Sequence, residues 1–244
     1  MEVNSYVQNS STYRMRVKEN IRITDPDCKD VVIKLVLEPL RGQLASFTPG
    51  QYVRIGIPKV NDPAPGYFAI ASCAEEPDGY EFFIKDAGPL SAYLCEVEIG
   101  TLLEVEGPMG RGFDLAPFEG SDLYLVGVGT GIAPLRSLWH HVIRHRERYG
   151  KVAIYAGFLT ELHQLLTEEL AELSRYDIEV SITLEMGHES WDGPIGYVQH
   201  ALNGDAPDGS NAVACLAGMS AMVDACTETL QNLGFNDDRI LLNH

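Results

Sequence analysis

The sequence predicts two domains: an N-terminal antiparallel β-barrel, followed by a C-terminal α/β domain of Rossmann-like type on a parallel sheet. Three observations carry this expectation. Up to about Pro108 the apolar segments are short and bounded by Gly, Pro, Asp or Asn; after Phe118 strands alternate with helices; and the stretch DLAPFEGS, residues 114–121, marks the change of rhythm. The 244 residues suit two cores of about 100 to 150 residues each. The boundary is therefore drawn between 1–117 and 118–244.

The N-terminal segments VVIKLVLEPL, GQYVRIGIP, FAIASC, YEFFIKDAG and TLLEVEGPMG have the length and spacing of barrel or sandwich strands. One helix interrupts them. In PLSAYLCEVEIG, Leu90, Leu94 and Val97 fall at helical spacing, Pro89 sits where a first turn tolerates it, and Gly100 is a stop signal.

Beyond the boundary, the apolar strand DLYLVGV runs through a glycine-rich turn into the helix APLRSLWHHVIRHRERYG and then the strand KVAIYAGF. Strand, helix, strand in that order implies parallel pairing with right-handed crossovers. The pattern continues with an acidic helix, ELHQLLTEELAELSRY, the strand IEVSITLE, a short helix around YVQHAL, the strand AVACLAG, the helix SAMVDACTETLQNLG and a last strand, RILLN.

Composition excludes several functions. With 35 acidic against 18 basic side chains the net charge is −17, a field that repels nucleic acid and disfavours an acidic protein partner. The one dense basic run, Arg144, His145, Arg146 and Arg148, reads as a solvated helix end. Five scattered cysteines without a C-x-x-C pair argue against disulfides, zinc and an iron-sulfur centre. No signal-peptide core and no apolar run of about 18 residues is present, so no membrane insertion is expected and the cytoplasm is the expected compartment.

The strongest chemical signal is Gly127-Val128-Gly129-Thr130-Gly131-Ile132-Ala133-Pro134, at the end of a strand and the start of a helix. Glycines let the backbone approach a pyrophosphate, and the helix start offers free N–H groups at the positive end of its dipole. The turn is neither a Walker loop nor a regular G-x-G-x-x-G.

The company of this turn is informative. PGQYVRIGIP, GYFAIAS, KDAGPLSAYL, EGPMGRGF, GVGTGIAPLRS, WDGPIGYV and AGMSAMV follow one another in the order found in the ferredoxin-NADP reductase-like family, which the chain resembles over nearly its whole length. MGRGFDL and the altered GYFAIAS are similar to the branch that includes plant proteins described as fruit-protein-like. The resemblance implies a flavin-binding barrel, a nicotinamide-binding α/β domain, and hydride passing from NADH or NADPH to bound FAD, or FMN, with electrons sent on to an unidentified protein or small-molecule acceptor.

It also implies the site. The family's Arg-x-Tyr/Phe-Ser flavin signature reads Gly66-Tyr67-Phe68-Ala69 here, so Tyr67, Phe68 and Ala69 are placed beside the flavin while the guanidinium and the hydroxyl are lost. Gly88, Leu90 and Ser91 match the second phosphate site; Ser72 is the substitute hydroxyl, and Tyr52 with Arg54 is expected in the same cavity. Gly129, Thr130 and Gly131 cradle the dinucleotide, Gly157 lies at the adenosine ribose, and Gly218 and Met219 approach the nicotinamide. Glu161, without a nearby arginine, favours NADH over NADPH. Hydride transfer needs no dedicated acid or base, so no catalytic side chain is assigned.

Some features have plain explanations. Cys215 is expected as a buried thiol, and Trp191-Asp192-Gly193 as packing. His141 and His145 stand at i and i+4, but the surrounding sequence offers no carboxylate or cysteine partner, and no metal is expected. Gly66, Ala69 and Ala217 leave two other functions open: a free-flavin reductase, or a non-catalytic dinucleotide-binding or docking module of a redox complex.

Overall fold

A computed structural model describes residues 11–44, 46–60, 62–75 and 77–243. The N-terminal half contains strands β1 (Ser11–Arg22), β2 (Val32–Pro39), β3 (Tyr52–Gly56), β4 (Gly66–Ala69) and β5 (Tyr80–Lys85), helix α1 (Pro89–Glu96) and strand β6 (Leu102–Met109). They form one antiparallel sheet in the order β4-β3-β6-β1-β2-β5. Its edges approach each other: just past β4, the Ala71 N–H donates to the Glu81 carbonyl of β5 at 2.8 Å, which nearly closes the barrel. Alternation fills the interior, with Met15 and Val17 of β1, Leu35 and Leu37 of β2, Val53 and Ile55 of β3, Phe82 and Ile84 of β5, and Leu103 and Val105 of β6 all buried.

Strand β1 is absent from the segments picked out by sequence. It carries Arg14, Arg16 and Lys18 between the inward Tyr13, Met15 and Val17, so its apolar content is low although its period of two is regular. A register shift between Val17 and Glu19 re-aims its second half.

The second half contains β7 (Asp122–Val128), α2 (Ile132–Arg144), β8 (Val152–Phe158), α3 (Thr167–Glu172), β9 (Glu179–Leu184), α4 (Val198–Asp205), β10 (Ala212–Ala217), α5 (Ser220–Asn232) and β11 (Ile240–Leu242). All pairings are parallel, in the order β11-β10-β7-β8-β9. The chain turns toward β8 after β7 and later returns to β10 on the other side. The carboxyl end of β7 is thus the topological switch point, where open parallel sheets bind ligands.

Two local expectations are corrected. The acidic stretch 161–176 is not one helix, because Leu166 adopts a left-handed conformation (φ 59°) between a short 3-10 turn and α3. Leu165 and Leu166 both pack on the same core, whereas a continuous helix would splay adjacent side chains by about 100°. The basic run is not a free solvated end either. Arg146 donates to the carbonyls of Tyr149, Gly150, Tyr176 and Asp177 and pairs with Asp177 at 2.7 Å, tying the end of α2 to the start of β9.

The two sheets share a core. Val32, Ala71, Phe83 and Phe113 from the barrel side lie in the same buried cluster as Leu135, Leu138 and Trp139 of α2. Helix α2 is therefore the element that sets the barrel against the parallel sheet.

Candidate functional site

Three adjoining cavities form a trough along the seam between barrel and sheet. The first, about 610 Å³, is lined by Gly66, Tyr67, Phe68, Lys85 and the start of α1 from Gly88 to Ser91. The second, about 350 Å³, is lined by Ala69, Gly131, Gly218 and Met219 among others, and shares Tyr67, Phe68, Phe83 and Thr130 with the first. The third, about 370 Å³, is lined by Gly157, Glu185, Tyr197 and Gln199, and shares Val128 and Met219 with the second. The three cavities thus adjoin in a row from the beginning of α1, past the beginning of α2, to the carboxyl ends of β8 and β9.

At the α1 end, Gly88 is extended and a Cβ there would meet open space. The N–H groups of Leu90 and Ser91 belong to the first helical turn, whose donors have no intrahelical partner, while Pro89 has none to leave unpaired. The Ser91 hydroxyl accepts from the Ala87 N–H and donates to the Gly88 carbonyl, both at 3.0 Å. It holds the turn, leaving the backbone to meet an anion. Lys85, overlooked by sequence, is the only cation lining this cavity among the described residues; its Nζ lies 2.6 Å from Asp30, and that hydrogen bond and charge hold the Asp30 carboxyl below its usual range.

Gly66 does more than omit a guanidinium. A Cβ there would come 3.0 Å from Leu90 and 3.4 Å from the Phe68 ring, so glycine lets both close over the strand. Tyr67 stands 65% exposed at the mouth of the trough, its ring edge-on to Tyr52 at 5.8 Å. Phe83, missed because an F-F-I strand reads as plain core, walls both cavities from the floor.

At the α2 end, Gly129 (φ 52°) occupies the left-handed region that favours glycine. Gly131 serves packing as well as approach, since its Cβ would fall 2.5 Å from the Ala217 carbonyl oxygen. The turn is pressed against the end of β10, and Thr130 faces the trough. Met219 is 68% exposed beside Gly218.

Several expected residues lie elsewhere. Tyr52 and Ser72 are not among the residues lining the three cavities, and Ser72 is buried with an unpartnered hydroxyl; Gly129 stands in the turn between the lining residues Val128 and Thr130. Arg54 pairs with Glu106 at 2.9 Å and lines a separate surface hollow. Glu161 accepts from the His188 N–H at 2.6 Å and lines none of the three cavities, whereas Glu185 lines the third. Cys215 is fully buried, which pushes its thiol pKa up, and it does not line the trough.

A polar network ties α2 to α3 and to the barrel. Glu169 of α3 accepts from Arg136, Trp139 and His140 of α2. His141 and His145 do have a carboxylate partner, Glu75 of the barrel, at 2.7 and 3.0 Å. Among the described residues no helix is long and apolar enough to cross a membrane.

The profile of the oxidoreductase NAD-binding domain matches residues 125–228. The sulfhydrogenase 1 gamma subunit of Pyrococcus furiosus is 28% identical over 213 residues, covering 84% of this chain and 70% of that subunit. An Amycolatopsis cytochrome P450 reductase superposes with a TM-score of 0.84 at 24% identity, covering 96% of this chain and 69% of the reductase. The Neisseria gonorrhoeae ferredoxin NADP+ reductase with bound FAD and NADP superposes with a TM-score of 0.76 at 18% identity, covering 96% and 98% of the two chains.

Proposed function

We propose that the chain is one of the ferredoxin-NADP reductase-like flavin/NAD-binding oxidoreductases, and that it oxidises NADH at a flavin held in the trough and passes the electrons to a separate redox partner. Residues 1–117 act as the flavin-binding domain and 118–244 as the nicotinamide-binding domain. The observation that carries this reading is the shared wall: Tyr67, Phe68, Phe83 and Thr130 line both the cavity at α1 and the cavity at α2. Two anion-favouring helix beginnings therefore open on adjoining cavities.

The residues present fit a flavin with a phosphate tail. Leu90 and Ser91 offer backbone donors, Lys85 a cation, and Tyr67 and Phe68 aromatic faces. Bound there, a flavin supplies a hydride acceptor that can release electrons singly or in pairs. The chain does the rest. The Gly129–Gly131 turn binds the dinucleotide's phosphates, and Gly218 with Met219 lies where the nicotinamide end would rest. Phe83 and Phe68 keep water from the reacting faces, and the shared core around α2 fixes the distance between the two sites. Glu185 accepts from a free ribose hydroxyl and would repel a 2′-phosphate, which favours NADH.

A free-flavin reductase is the second reading, favoured by Gly66 itself, which supplies no guanidinium to a flavin phosphate and lets Leu90 and Phe68 draw in over the strand. Gel filtration of protein pre-loaded with FAD or FMN separates the two. A flavin that co-elutes with the protein supports the resident cofactor; complete loss, with NADH oxidation restored by added flavin, supports the substrate role.

A further inference from the structure

We propose that Glu75, His141 and His145 bind one divalent transition-metal ion of the zinc class, tying the barrel to helix α2. One ligand atom from each of the three side chains lies within 4.8 Å of the other two. His141 presents Nδ1 and His145 presents Nε2 to the same oxygen, Oε1 of Glu75, at 2.7 and 3.0 Å. Two imidazoles and a carboxylate are the donor set of a three-ligand zinc site with an open fourth position. His141 stands in the last turn of α2 and His145 is the residue that caps it, its N–H held by the Val142 carbonyl, so both donors come from one helix end.

The separations suit an ion after a small adjustment. With metal–ligand bonds of about 2.0 to 2.2 Å, tetrahedral neighbours stand roughly 3.3 Å apart, so the two nitrogens, now 2.7 and 3.0 Å from Oε1, need to part from it by about 0.3 to 0.6 Å. Each side chain retains partial exposure, between 23% and 36%, which leaves an entry path and room for a water. The surroundings prepare the ligands as well. Tyr149 Oη lies 3.4 Å from Nε2 of His141 and can accept that N–H, which frees the Nδ1 lone pair for a metal. Arg144 meets the other carboxylate oxygen, Oε2, at 3.6 Å, so Glu75 would bind through Oε1 alone.

The placement gives the ion a structural effect. Glu75 belongs to the barrel segment 70–75, whose Ala71 packs in the core shared with α2, whereas both histidines lie at the far end of the helix that begins at the Gly129–Gly131 turn. An ion here pins the end of α2 opposite the dinucleotide.

The test is isothermal titration of chelator-treated, flavin-loaded protein with zinc chloride, in parallel with His141→Ala, His145→Ala and Glu75→Gln, each checked for a cooperative thermal transition. One saturable equivalent per wild-type chain is expected, with affinity at least tenfold weaker in each variant. X-ray absorption of the zinc-loaded wild-type protein should show a nitrogen and oxygen shell with two imidazoles, a readout independent of whether the variants fold. No saturable binding, undiminished affinity in folded variants, or a sulfur in the shell from nearby Cys73 would overturn the assignment.

Discussion

Nη1 of Arg136 lies 2.7 Å from Oε2 of Glu81, so a guanidinium on α2 is clasped by a carboxylate on β5 of the barrel. The same nitrogen donates to the Ala71 carbonyl at 3.0 Å, and Nε reaches both oxygens of Glu169 at 2.9 Å. The guanidinium also lies 5.8 Å from the centre of the Phe83 ring, which walls the trough. One side chain thus joins barrel, helix and trough.

Arg136→Leu should therefore destabilise the protein by about 3 to 5 kcal/mol, because it leaves two carboxylates short of their cation in a largely buried setting. Arg136→Lys should recover only part of that loss, since an ammonium cannot span three acceptors in a plane. Urea unfolding of both variants measures it.

Acid should unfold the protein partly through Glu169. Burial alone would raise its pKa, but hydrogen bonds from His140 and Arg136 and the Arg136 charge outweigh it and hold the carboxyl at about 2, below the ordinary 4.5. A depressed folded-state pKa gives stability that is complete above about pH 4.5 and lost as pH falls toward about 2, on the order of 3 kcal/mol in all. Unfolding free energy measured from pH 6 to pH 2.5 should fall less steeply in Glu169→Gln than in wild type.

These long-range networks are what sequence could not disclose. The Gly127–Pro134 turn and the start of α1 were legible because strand ends, glycines, proline and helical spacing are local signals. Glu75 stands 66 residues from His141 and Glu81 55 residues from Arg136, and no local pattern announces such pairings. Glu185 lies at a strand end like many other acids; only the fold turns it toward the trough, whereas Glu161, in an equally plausible loop, is consumed by the His188 backbone. Strand β1 escaped notice because its outer face is so heavily charged.

Gly131 is a poor place to separate binding from folding, because even a single Cβ would strike the Ala217 carbonyl. Met219 is the better probe, being 68% exposed and lining both the second and third cavities. Met219→Asp should leave thermal stability within about 0.5 kcal/mol of wild type. Steady-state NADH oxidation should show KM raised at least tenfold, since the added charge faces an anionic ligand.

Coenzyme preference should follow Glu185. Wild-type kcat/KM is expected to favour NADH over NADPH, and Glu185→Lys should narrow the ratio at least tenfold by replacing repulsion of a 2′-phosphate with attraction. Parallel assays with the two coenzymes check this.

The arrangement of two helix beginnings on one trough is tested most directly by anaerobic rapid mixing of the flavin-loaded protein with one equivalent of NADH. Loss of the oxidised flavin absorbance within a single turnover, slowed in Met219→Asp, is the predicted result. Flavin that stays oxidised while NADH is demonstrably bound would contradict it, because the two sites would then not face one another.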